Sequence, residues 1–142
     1  MKVDFYQLSR DLAEAVVPQL AERTLRAGER LLVVTADSEQ ASRISQALWA
    51  HKPDSFLAHG AAGGGHEADQ PILLSDSAEP ANGARYVIFA DGTWRDPPTD
   101  CERAFLLFDE TTIEAARAQW RAMEAGERNF WRQGANGWDK IA

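Results

Sequence analysis

Short unbroken apolar runs along the chain alternate with stretches in which apolar residues recur every three to four positions, the pattern of strands interleaved with helices. Residues 3–8 form a short run with β-forming side chains. After Ser9, a possible cap, Leu12, Val16 and Leu20 together with Ala13, Val17 and Ala21 recur at i+4 and predict one apolar helix face ending at Gly28. Pro18 interrupts it, so the helix either bends there or begins near Val17. Residues 30–35 hold a continuous apolar run, Leu31 to Val34, as in a strand covered on both faces. Asp37 and Ser38 can cap a second helix, with Gln40 in the capping-box position and Ala41, Ile44, Ala47 and Leu48 as its buried stripe. Pro53 ends that helix, and residues 55–58 are short enough for an edge strand.

Residues 60–70 are glycine-rich and aperiodic, which predicts a loop. A strand-like segment at 71–74, a polar turn at 75–83 and a strong strand at 85–90 follow. Gly92, Pro97 and Pro98 make residues 91–100 a loop, 104–108 is another strand, and Asp109 to Thr112 open a last long helix running to about Ala125 and Gly126. The remainder, rich in Trp, Arg, Gly and Asn, suggests no element. Alternating strands and helices with apolar central runs predict a layered α/β domain over residues 1–142, with a mostly parallel central sheet flanked by helices.

Composition narrows the function classes. The 142 residues carry 22 acidic against 15 basic side chains, a net charge of −7, which argues against broad contact with nucleic-acid phosphates. No apolar run reaches a membrane span of roughly 18 residues, and the first six residues lack the apolar region of a signal peptide. The single Cys101 fits a reducing compartment, so a cytoplasmic location is expected.

Catalytic constellations are hard to find. Gly60, Gly63, Gly64 and Gly65 invite a phosphate-loop reading, but the cluster has no Gly-Lys-Ser/Thr ending and leads toward a strand instead of opening a helix. A small α/β nucleotide-binding protein or enzyme using that loop is the alternative reading. His59, His66, Glu67 and Asp69 match no compact metal-ligand spacing, and Cys101 has no evident base, so neither a metal nor a cofactor is expected.

Two aromatic positions stand out instead. Arg117 and Arg121 lie four apart on one helical face with Trp120 at i+3 from Arg117, a plausible receptor for a carboxylate attached to an aromatic group. Equally, Ile113, Ala116, Trp120 and Met123 follow the spacing of a core stripe, which would make the arginines solvated edge residues. Trp49, one residue past Leu48, sits at the margin of a core face near Phe56, where it could cap the core or anchor a partner.

Several segments stand in a specific order and spacing: the N-terminal Val-Asp-Phe-Tyr-Gln-Leu, Ala-Gly-Glu-Arg-Leu-Leu-Val entering the second strand, Ala47-Leu48-Trp49, Asp54 to Gly60, His66 to Leu74, Asn82-Gly83, Arg103-Ala104-Phe105, Phe108-Asp109, Ala115 to Arg121, Trp131-Arg132-Gln133 and Gly137 to Lys140. Together they resemble the chi subunit family of bacterial DNA polymerase III holoenzyme. The resemblance implies a Rossmann-like fold with no nucleotide site and a nonenzymatic clamp-loader accessory. It implies two partners, the psi subunit and the acidic C-terminal peptide of single-stranded-DNA-binding protein, with no direct nucleic-acid contact. By motif, Arg117, Trp120 and Arg121 carry the peptide role, while Trp49 and Phe56 fall on the psi-facing surface.

Overall fold

The expected alternation takes the form of one eight-stranded sheet between two helical layers. A computed structural model describes residues 1–51, 57–123 and 126–142. Its strands are β1 (Lys2–Gln7), β2 (Leu31–Val34), β3 (His59–Ala61), β4 (Ile72–Ser75), β5 (Tyr86–Phe89), β6 (Arg103–Phe108), β7 (Glu127–Gly134) and β8 (Gly137–Lys140). The helices are α1 (Ala13–Arg26), α2 (Ser38–Ala50) and α3 (Ile113–Ala122). Strand order is β3-β4-β2-β5-β6-β1-β7-β8, with every neighbouring pair parallel except the antiparallel β7–β8.

The central strands read as unbroken apolar runs because both sheet faces are covered. Leu31 and Val33 of β2 enter one core with Val17, Leu20 and Ala21 of α1 and Ile44 and Leu48 of α2. Leu32 and Val34, on the opposite face, enter a second core with Phe5, Phe89, Leu106 and Phe108, closed by Ala116 of α3 and by Trp94.

Several boundaries differ from the sequence reading for local reasons. Helix α1 starts at Ala13, not at Ser9 or Val17, and Pro18 lies buried inside it. Its missing N–H forgoes the bond to the Glu14 carbonyl, and the helix nevertheless runs on to Arg26. Asp37 caps α2 as expected, accepting from the N–H groups of Glu39 (2.9 Å) and Gln40 (3.3 Å). The Gln40 side chain does not complete the capping box: it accepts from Thr35 Oγ1 and donates to the Ala90 carbonyl, tying α2 to the ends of β2 and β5. The edge strand among the described residues is β3, which takes residues 59–61 out of the expected loop; of the strand expected at 55–58, residues 55 and 56 lie outside the described residues, and Leu57 and Ala58 carry no strand. Helix α3 ends at Ala122.

The C-terminal segment, given no element from sequence, is a hairpin that extends the sheet. Strand β7 lies parallel to β1, and β8 returns antiparallel through a tight turn closed by Gly134 opposite Gly137, whose φ is +134°. A polar junction fastens it. Asp4, fully buried on β1, accepts from Arg103 Nε (3.0 Å), Asn129 Nδ2 (3.1 Å) and Trp131 Nε1 (3.1 Å), with Arg103 Nη2 at 2.9 Å. Gln133 Oε1 accepts from the backbone N–H groups of Ser9, Arg10 and Asp11, so the hairpin also holds the turn that leads into α1. Among the described residues no helix is long and apolar enough to cross a membrane.

Candidate functional site

Helix α3 is amphipathic, and its apolar side is the expected stripe. Ala116 is buried, and its small side chain lets the helix approach the sheet, while Ile113, Trp120 and Met123 pack partly buried against the second core. Trp120 meets Phe5 and Phe130 edge to face, with ring centroids 5.2 and 5.5 Å apart. The core reading of that tryptophan therefore holds. It does not remove the receptor reading, because Trp120 keeps part of its surface at the rim between core and solvent.

Arg117 and Arg121 stand exposed along that rim, one turn apart. Arg117 is 52% exposed and has Glu114 at 3.5 Å, a contact solvent screens strongly. The guanidinium that covers Trp120 comes from elsewhere. Arg128, on β7 in register with Val3, places its Cζ 4.4 Å from the indole centroid. Its Nη1 donates to the backbone carbonyls of Trp120 and of Met123 (3.1 Å), capping the C-terminal end of α3 with a positive charge. Periodicity could not reveal Arg128, which lies outside the helix it completes.

Trp49 lies on the other helical layer. It is 55% exposed on α2, which disfavours the core-cap reading, and its ring packs on His59 at 4.6 Å. Phe56, its expected companion, lies outside the described residues. Trp49 and His59 border a cavity of about 510 Å³ that runs past Ser45, Ser42 and Ser38 to the ends of β2 and β4. His59 Nδ1 bonds the Leu57 carbonyl (2.9 Å) and its Nε2 bonds Ser45 Oγ (2.8 Å), so its ring is fixed against the wall.

The glycine-rich loop is internally satisfied. Glu67 Oε1 accepts from the N–H of Gly63 (2.7 Å) and more weakly from Gly65 (3.5 Å), so a carboxylate of the chain occupies the donors a phosphate would need. Bonds from its own backbone N–H and from those two glycines hold the Glu67 carboxyl below its ordinary range. Gly63 and Gly65 turn the chain with φ values of +89° and +84°, in the left-handed region that favours glycine.

Ligands of open α/β sheets usually bind beyond the carboxyl ends of strands whose connections leave to opposite faces. Here β1 leads to α1 and β6 leads to α3 on the other face, and a cavity of about 600 Å³ opens between them. Three of its carboxylates are already engaged: Glu14 with Arg43 (2.7 Å), Asp11 with Gln133 (2.8 Å), and Asp109 with the Thr111 N–H (2.9 Å). At Asp91 burial alone would raise the carboxyl, but Arg95 and the N–H groups of Ala36 and Thr93 outweigh it and hold it below its ordinary value. This acidic lining opposes phosphates.

Nor do the other candidates assemble. Cys101 is buried, and burial pushes its thiol up, away from the thiolate that a nucleophile needs. Among the described residues no three His, Cys, Asp or Glu side chains are grouped to hold a metal ion.

Comparison with known proteins gives two findings. Residues 1–129 match the family model of the DNA polymerase III chi subunit, HolC. The chain is 27% identical over 136 residues to the DNA polymerase III subunit chi of Escherichia coli (strain K12), covering 89% of this chain and 92% of that protein.

Proposed function

The chain belongs to the DNA polymerase III chi subunit family, and from that premise we propose that it links the replicase to single-stranded-DNA-binding protein by capturing that protein's acidic C-terminal peptide on the exposed edge of α3. The observation that carries this reading is Arg128 held over the partly buried Trp120, with Arg117 and Arg121 exposed one turn apart on the same helix, cations beside an aromatic surface on a chain whose net charge is −7. An acidic peptide ending in phenylalanine brings the complementary groups, a ring beside a carboxylate with further negative charge upstream. The face around Trp49 serves the second partner, the psi subunit: an exposed indole backed by a fixed histidine is the kind of anchor that dominates interface energies. In this role the chain acts as an accessory subunit, without catalysis of its own.

The nucleotide alternative is disfavoured by the Glu67 carboxylate on the loop donors and by the acidic crevice. One calorimetric experiment separates the readings. A short peptide ending in acidic residues, a proline and a terminal phenylalanine is titrated beside a nucleotide and a single-stranded oligonucleotide. The peptide is expected to bind, and more weakly as salt rises from 0.05 to about 0.3 M, because exposed charge contacts are screened while ring burial is not. Saturable nucleotide binding without peptide binding would overturn the proposal.

A further inference from the structure

Resting on that reading, we propose that Arg128 receives the terminal carboxylate of the peptide, while Arg117 and Arg121 engage the acidic residues upstream. A receptor for a carboxylate adjoining a ring needs a cation held in place against an apolar wall. Helical spacing offers Arg117 for this role, but Arg117 stands exposed on a flexible stem whose rotamer freedom must be lost on binding.

Arg128 meets the requirement before any ligand arrives. Its backbone is set by the β1–β7 register, its Cζ lies over the Trp120 ring, and Nη1 is committed to two carbonyls at the end of α3. Among the described residues no further hydrogen bond or ion pair engages Nε or Nη2. Those two atoms form the other edge of the guanidinium fork, with the spacing that holds a carboxylate by two parallel bonds. Trp120, against which the guanidinium lies, is only partly buried, so apolar surface for the ring adjoins the fork, as the ligand's own geometry demands.

The test compares the free-acid peptide with its C-terminal amide, each titrated into the full chain and into Arg117→Ala, Arg121→Ala, Arg128→Gln and Arg128→Lys. Amidation should weaken binding to the unaltered chain about 10- to 100-fold, the range for losing a charge-assisted hydrogen bond. The same ratio should persist in Arg117→Ala and Arg121→Ala. It should fall to within about twofold in Arg128→Gln, with Arg128→Lys intermediate because an ammonium supplies charge without the fork. A purely structural Arg128 would weaken both peptides equally and leave the ratio intact, which overturns the proposal, as does a ratio that collapses in Arg117→Ala instead. Binding of neither peptide to the unaltered chain would refute the proposed function itself.

Discussion

Replacing Asp4 by alanine should loosen the seam on which the candidate site is mounted. Its carboxylate is the shared acceptor for Arg103 of β6 and for Asn129 and Trp131 of β7, so its loss strips the bond that spans three strands. Asn129 and the Trp131 indole N–H each lose an acceptor, at about 1 kcal/mol or somewhat more apiece. Breaking a buried ion pair costs about 3–5 kcal/mol when the surviving charge is sealed in. Arg103 is 31% exposed and can rehydrate in part, so that range is an upper bound for its share. A total of about 3 kcal/mol follows once the shared network is not counted twice. Urea unfolding should register this as a midpoint lowered by about 1.5 M, for a slope of about 2 kcal/mol per molar. Adding Arg103→Met should recover part of the loss by removing the stranded charge. Peptide affinity should also fall in Asp4→Ala, although no peptide-contacting residue is altered, because Arg128 stands on the strand that Asp4 fastens. A loss under about 1 kcal/mol, or a double variant no better than the sum of its parts, would refute the reasoning.

Other expectations follow from single contacts. Gly63→Ala should cost about 1–2 kcal/mol because φ is +89° there, whereas Gly64→Ala, at a residue without positive φ, should cost less; thermal unfolding of the two variants checks the order. Asp91→Asn should lower stability at neutral pH by about 1–2 kcal/mol through weakened bonds to Arg95, Ala36 and Thr93. Because the folded carboxyl sits below its ordinary value, its stabilising effect is complete above about pH 4 and disappears as pH falls through the folded value, so the deficit of Asp91→Asn should shrink in acid denaturation series. Trp49→Ala should leave the unfolding midpoint nearly unchanged yet weaken capture of the psi partner by about 2 kcal/mol or more, measured by titration of the purified subunits.

How far the sequence discloses this molecule depends on whether a residue's partners are near it in the chain. The apolar runs of β2, β5 and β6 are legible because burial on both faces demands them, and the α2 cap is legible because Asp37 bonds N–H groups two and three residues on. The α3 stripe is legible too, as a periodic row running from Ile113 through Trp120 to Met123. Asp4 is opaque: a lone acid in an apolar run makes sense only with Arg103, Asn129 and Trp131, all of them about a hundred residues away or more. For the same reason Arg128 escapes notice, since the ring it covers and the carbonyls it caps belong to another element. The β7–β8 hairpin carries one local signal, Asn136-Gly137 between aromatic segments, which the polar composition of the segment obscures. Arg117 and Trp120, by contrast, are one helical turn apart and could be paired by spacing, yet spacing alone cannot tell which cation the indole holds.

The most direct test of the central claim is to map the acidic peptide onto the isotopically labelled chain by NMR. The account expects shift changes concentrated in residues 113–123, the Trp120 indole N–H and the side-chain resonances of Arg117, Arg121 and Arg128, with the cavity bordered by Trp49 and His59 unaffected. Changes confined to that cavity or to the crevice between β1 and β6, with α3 and Arg128 silent at saturating peptide, would contradict it.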